Sequence, residues 1–287
     1  MSAERKKAGI LAVLFLANLF AFAAVYDLNQ SKFLEVNFFD VGQGDSIFIE
    51  TPYRDQILID GGPDATILEK LRKEMPFWDR TIDLIILTHP EKDHLTGLLD
   101  VLKRYQVENI LWTGVVRDTA EYKEWEKLIK EEGARIIIAK SGENFSFSDK
   151  LSLLVLSPSE ILEGKVFKDS NDTSIVAKLT FGDNSFLFTG DISKSVEKKL
   201  LLGSTEQQLK AEVLKVAHHG SKTSTSKEFA ETVSPEIAVI QAGKDNSYGH
   251  PRQETLDTLA EYGIKILRTD LDGDIKIISN GSNINIY

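Results

Sequence analysis

No cysteine occurs anywhere in the 287 residues. Disulfides and thiolate ligands are therefore excluded, and the fold must rest on core packing, with bound metal as a further staple. Positive charge is also in deficit: 34 Lys and Arg stand against 44 Asp and Glu, a net charge of -10. That argues against tight, sequence-independent binding to long nucleic acid, where many phosphates must be neutralised. A phosphodiester substrate that meets a local cation remains open. Linkers, repeats and low-complexity tracts are absent as well, so nothing divides the roughly 255 residues after the N-terminal segment, enough to bury a large core. Histidine is scarce, five in all, and every one lies in three short segments: His89 and His94 in THPEKDH, His218 and His219 in AHHGS, and His250 in YGHP. Imidazole is the commonest metal-binding side chain, so this confinement points to one polar site assembled from distant loops.

One long apolar run is present, Ala8 to Tyr26, after the basic stretch Arg5, Lys6, Lys7. It approaches the ~20 residues a membrane-spanning helix requires. Ala21, Phe22 and Ala23 also offer the small-residue spacing of a signal cleavage site. Either way the bulk of the chain is expected outside the cytoplasm by the positive-inside tendency. The expected organisation is a cytoplasmic tip with membrane anchor or signal segment over 1–30 and a hydrolase domain over 31–287. The protein would then be a single-pass protein of the cell membrane, or secreted after cleavage.

Period-2 runs predict strands over Phe33 to Phe39, Ser46 to Glu50 and Gln56 to Asp60, then a helix over Ala65 to Lys73, a buried strand over Ile82 to Leu87 and a helix from Leu95 to Tyr105. Strands pair locally first and alternate with helices later, which fits a layered α/β sandwich better than a doubly wound sheet. Between the buried strand and the second helix sits His89-Pro90-Glu91-Lys92-Asp93-His94. Two imidazoles and two carboxylates within six residues can converge on one or two cations with little conformational freedom left to fix. Asp270, Asp272 and Asp274 look calcium-like, but the place of Gly273 and the missing distal Glu break the EF-hand pattern and predict a hairpin turn.

This motif resembles the H-x-H-x-D-H signature of the metallo-β-lactamase superfamily, with Glu91 in the place of the second His. Asp40-Val41-Gly42-Gln43-Gly44-Asp45-Ser46, Leu58-Ile59-Asp60-Gly61-Gly62, Asn171-Asp172-Thr173-Ser174, Thr189-Gly190-Asp191 and Ala217-His218-His219-Gly220-Ser221 follow the order of the ComEC-like competence-protein branch. The resemblance runs from about Phe33 to the C-terminus and does not include a multi-span channel region, so DNA transport is not implied. It implies a four-layer αββα sandwich, here with an N-terminal transmembrane helix. It also implies two divalent metal ions, zinc or manganese, with His89 and Glu91 on one, Asp93 and His94 on the other, Asp191 as the bridge and His218 completing the second site.

Neighbouring side chains on an extended segment point to opposite faces, so only one of His218 and His219 is expected to reach a given metal. His218 is the favoured ligand, with His219 either behind the ligands or in contact with substrate. The third histidine of the superfamily has no counterpart; Asn171 or Asp172 stands nearest, which leaves an oxygen-rich first site that suits manganese or magnesium. Asp93 would orient the nucleophile and His250 would contact a phosphate or leaving oxygen. Asp45 and Lys222 are weaker substrate-side candidates, Lys222 for its positive charge. The expected activity is metal-dependent hydrolysis of a phosphodiester, plausibly nucleic acid or a nucleotide. Hydrolysis of another exported ester or amide, or a non-catalytic role as partner of a DNA-uptake-type membrane channel, are the alternatives.

Overall fold

The computed structural model describes residues 3–28 and 33–287, the side chains at 3, 4, 6 and 23–28 excepted. The apolar run forms α1 (Ala3–Leu28). Among the described residues no helix is long and apolar enough to cross a membrane. The transmembrane part of the expected architecture is thus without support: its last residues, 23–26, have side chains outside those described.

From residue 33 the chain builds two sheets. β1 (Leu34–Phe38), β2 (Ile47–Glu50) and β3 (Gln56–Ile59) form a meander. After α2 (Thr66–Glu74), β4 (Thr81–Leu87), α3 (Lys92–Leu102), β5 (Gln106–Trp112), α4 (Ala120–Glu132) and β6 (Arg135–Ile138) add parallel strands. The second sheet starts with the antiparallel β7 (Asn144–Ser148), β8 (Leu151–Ser157), β9 (Val176–Phe181) and β10 (Asn184–Phe188). Then α5 (Lys194–Gly203), α6 (Glu206–Leu209), β11 (Val213–Lys215), α7 (Lys227–Val233), β12 (Ile237–Ile240), α8 (Gln253–Glu261) and β13 (Lys265–Arg268) continue in parallel from β10. After α9 (Thr269–Asp272) the chain returns to the first sheet as β14 (Ile275–Ser279) and β15 (Ile284–Ile286). The first sheet is ordered β15-β14-β1-β2-β3-β4-β5-β6 and the second β13-β12-β11-β10-β9-β8-β7. The acidic turn expected to be a hairpin is the short helix α9, where Arg268 pairs with Asp270 at 2.6 Å and Lys70 holds Asp274 at 2.7 Å.

Alternation along the strands makes the layers. Val36 and Phe38 of β1, Ile47 and Ile49 of β2 and Ile57 and Ile59 of β3 point inward against Leu153, Leu179, Phe186 and Phe188 of the second sheet. Their outward neighbours Phe48 and Leu58 join Ile85 and Leu87 under Ile67, Leu98, Tyr122 and Trp125 of α2, α3 and α4. On the far side Leu187 and Leu214 meet Val196, Leu200, Phe229 and Val233 of α5 and α7. The result is a sandwich of helices, two sheets and helices.

Candidate metal centre

Every histidine-bearing loop leaves the C-terminal end of a strand or follows one closely. β4 opens at Thr88 into the first motif, β10 at Thr189 into Asp191, β11 at Val216 into the tandem histidines, and β12 leads through Gln241 to His250. The helix after the first motif begins at Lys92, three residues earlier than expected, so Asp93 and His94 lie in its first turn.

Ligand atoms of Asp93, His94, Asp191 and His219 all lie within 4.8 Å of one another. His94 Nε2 is 3.4 Å and His219 Nε2 3.3 Å from Asp191 Oδ2, and His219 Nε2 is 3.4 Å from Asp93 Oδ2. The ring of His89 lies 4.2 Å from that of His94, tilted by 54°. The donor set passes a direct test of fit for a cation. His94 Nδ1 meets Asp60 Oδ2 at 2.8 Å, and His219 Nδ1 meets the Gln241 carbonyl at 2.9 Å. Thr88 donates through Oγ1 to Asp60 at 2.6 Å and so accepts from His89 Nδ1 at 3.0 Å. Each Nδ1 thus faces an acceptor, which turns the three Nε2 atoms inward as the positions open to a cation. His89, His94 and His219 Nε2 are all buried without a hydrogen-bond partner, as are Asp191 Oδ1 and Asp45 Oδ1. Buried polar atoms left unpaired are costly, and a divalent cation satisfies this set.

Charge balance shows the same convergence. Burial alone would push the His94 and His219 imidazoles down, but Asp191 with Asp60 around the first, and Asp191 with Asp45 around the second, hold both well above the ordinary value. His89 goes the other way, to about 3, through burial and repulsion from His94. Lys215 is buried with its ammonium paired to Asp45, 3.7 Å from Asp191 Oδ1 and donating to the Gly190 carbonyl at 3.1 Å.

The tandem histidines depart from the extended backbone that the opposite-face argument needs. Both sit in left-handed conformation, φ 50° at His218 and 53° at His219, within one tight turn. Both rings therefore reach the same cavity, with centroids 6.0 Å apart. It is His219, expected behind the ligands or in contact with substrate, that joins the four-residue cluster. His218, the expected ligand, stands 3.9 Å from Asp191 Oδ2 and accepts from Asn171 Nδ2 at 3.3 Å. Glu91 lies on the cavity wall but is held by Arg117 at 2.8 Å and by the Ser170 hydroxyl. Asp172 is turned away, accepting from Ser193 N and Ser195 Oγ. Lys222 is not among the residues lining the cavity, whereas Lys168 is. Asp45 faces His219 and Lys215 rather than open solvent, 2% exposed. The cavity, about 590 Å³, is walled by Gln43, Asn171, His218, Tyr248 and His250 above Asp93, Asp191 and His219.

Sequence reasoning passed over Asp60, Thr88 and Gln241, which orient the rings, and Arg117, which holds Glu91. The Asp60 motif and Thr88, next to His89, were visible in sequence; Gln241 and Arg117 carry no local signal, since their partners lie far away in the chain.

The sequence model of the metallo-beta-lactamase superfamily matches residues 39–244. The chain belongs to the metallo-beta-lactamase superfamily. Within it, the chain is 35% identical to ComE operon protein 3 of Bacillus subtilis, over 84% of this chain and 32% of that protein. It is 31% identical to competence protein ComA of Neisseria gonorrhoeae, over 84% and 32%. These relatives are of the ComEC-like kind, and the chain spans about a third of their length. Among solved structures it superposes on Igni18, a metallo hydrolase from Ignicoccus hospitalis, with a TM-score of 0.55 at 15% identity, covering 85% of this chain and 98% of that one. The diiron β-hydroxylase CmlA of Streptomyces venezuelae gives 0.53 at 14% identity over 85% and 53%. At such identities the likeness establishes the superfamily fold.

Proposed function

We propose that this domain is a metal-dependent phosphodiesterase acting on nucleic acid or a nucleotide, held outside the cytoplasm by the N-terminal helix. The observation that carries the reading is the cluster of Asp93, His94, Asp191 and His219, with unpartnered, buried Nε2 atoms at the floor of an open cavity. These four would hold one divalent cation, zinc or manganese. His89 and Asp191 would hold a second, with Glu91 joining on release from Arg117 and His218 adding an imidazole from the wall. When bound, such cations supply Lewis acidity toward a phosphoryl oxygen and a nearby water.

The chain's own groups do the rest. Asp93 orients the attacking water and accepts its proton through the carboxylate oxygen that a cation would leave free. His250 projects from the wall, its Nδ1 buried and unpartnered and its imidazole pushed down to about 4 by burial and by the nearby His219 and His218. A neutral ring there can hydrogen-bond a phosphate or leaving oxygen. Lys168 on the rim offsets the net negative charge of the chain for an anionic substrate. The competence relatives support nucleic acid as the substrate class.

The test is the full chain, supplied with Mn²⁺ or Zn²⁺, on bis-p-nitrophenyl phosphate and on nitrocefin. The diester is expected to turn over, nitrocefin to survive, and Asp191→Ala to abolish both turnover and metal retention. Nitrocefin cleavage without diester cleavage would overturn the phosphodiesterase reading.

A further inference from the structure

One wall of the cavity holds an aromatic side chain that neither the metal cluster nor the core uses. Tyr248 is 60% exposed and lines the cavity beside His250. Its ring lies 5.9 Å from that of His250 at an interplanar angle of 24°, and the His250 ring lies 6.4 Å from that of His219 at 28°. Three rings thus form a nearly parallel stair from the ligand cluster to the rim. The rim step is fixed in place. Asn246 accepts from His250 N at 3.0 Å and donates to the carbonyls of His250 at 2.6 Å and Gly243 at 2.8 Å. Arg252 donates to the Tyr248 carbonyl at 2.6 Å. A ring presented to solvent on so constrained a loop, one step from a phosphate site, loses little entropy when a flat partner settles on it.

We infer that Tyr248 is a stacking platform for an unpaired nucleobase, which makes single-stranded nucleic acid the substrate class of this site. The inference rests on the phosphodiesterase reading. A base within a duplex already has both faces stacked, so only an unpaired base can lie on an exposed ring while its phosphate enters the cavity. The ring has no hydrogen-bond readout of base edges, so every base is accepted.

The experiment is fluorescence anisotropy on the full chain with labelled, cleavage-resistant phosphorothioate strands of one length: oligothymidylate, the same backbone without bases, and a duplex. The expected result is that the intact single strand binds at least about fivefold more tightly than either the abasic strand or the duplex, and a duplex bound as tightly as the single strand overturns the single-strand assignment. Tyr248→Ala should erase that difference, and Tyr248→Trp should restore it. Equal affinity for intact and abasic strands, or an intact strand bound by Tyr248→Ala as by the unchanged chain, overturns the stacking role alone. Failure to bind any strand, together with no turnover of bis-p-nitrophenyl phosphate, overturns the phosphodiesterase reading beneath it.

Discussion

Lysine is almost never fully buried unless paired, and Lys215, 1% exposed, is paired with carboxylates that belong to the centre. Replacing it with Met leaves the buried Asp45 carboxylate without its ammonium partner. In the metal-free chain this is expected to cost about 3–5 kcal/mol, read as a lower midpoint in urea. Asp60 acts through His94 and Thr88 rather than on a cation, so Asp60→Asn should weaken metal affinity roughly 10–100-fold while leaving the fold intact by circular dichroism. The raised His94 and His219 values fix the sign of the pH dependence. In the metal-free chain the facing carboxylates favour the charged form of both rings, whereas a cation binds only the neutral ring, so binding displaces protons. Metal affinity should therefore fall as the pH drops through neutrality. Calorimetry in two buffers of different ionisation enthalpy reads the released protons, and an affinity constant between pH 6 and 8 would contradict these two ligands.

Between β1 and β2 the connecting loop must pass hard against the first turn of α3, and Gly44 is the residue that permits it. Its φ is +145°, and a Cβ there would stand 2.1 Å from the Asp93 carbonyl oxygen. Gly44→Ala must move either the loop that carries Asp45 or the turn that carries Asp93. The expectation is a loss of roughly 1–3 kcal/mol from the strained backbone alone, measured as a lower Tm, with metal retention impaired alongside. The same element scale explains what was legible in the chain. Strands β1 to β3 show in the alternation Val36, Phe38, Ile47, Ile49, Ile57, Ile59 because one face meets the other sheet and the other meets helices. The start of α3 was misplaced because Glu91 occupies the position before it without any side-chain cap, so no capping residue marked the boundary. The tandem histidines were misread for a backbone reason: two consecutive left-handed residues that are not glycine have no sequence signature.

For the whole molecule, holding two sheets together around a charged centre implies that the metal contributes to stability. Chelation should lower the Tm of the full chain, and readdition of Mn²⁺ or Zn²⁺ should restore it in a concentration-dependent way. The anchoring role proposed for α1 is tested by fractionation: the full chain should sediment with membranes, and a chain lacking residues 1–30 should remain in the supernatant with its diesterase activity. Recovery of the full chain from the supernatant would remove the anchor from the proposal.

The types and approximate places of the candidate ligands were legible in local sequence, because carboxylates and imidazoles crowded at strand ends have few other uses. So was the sandwich, because alternation records which face each strand buries. Tertiary structure alone decided which of two adjacent imidazoles enters the four-residue cluster, that Glu91 is held by Arg117 and Ser170, and that Lys215 lies beneath the centre. The physical reason is distance: those contacts join residues 26 to 170 positions apart, and pairing energies at such separations depend on where the packed layers bring the groups, not on their neighbours in the chain.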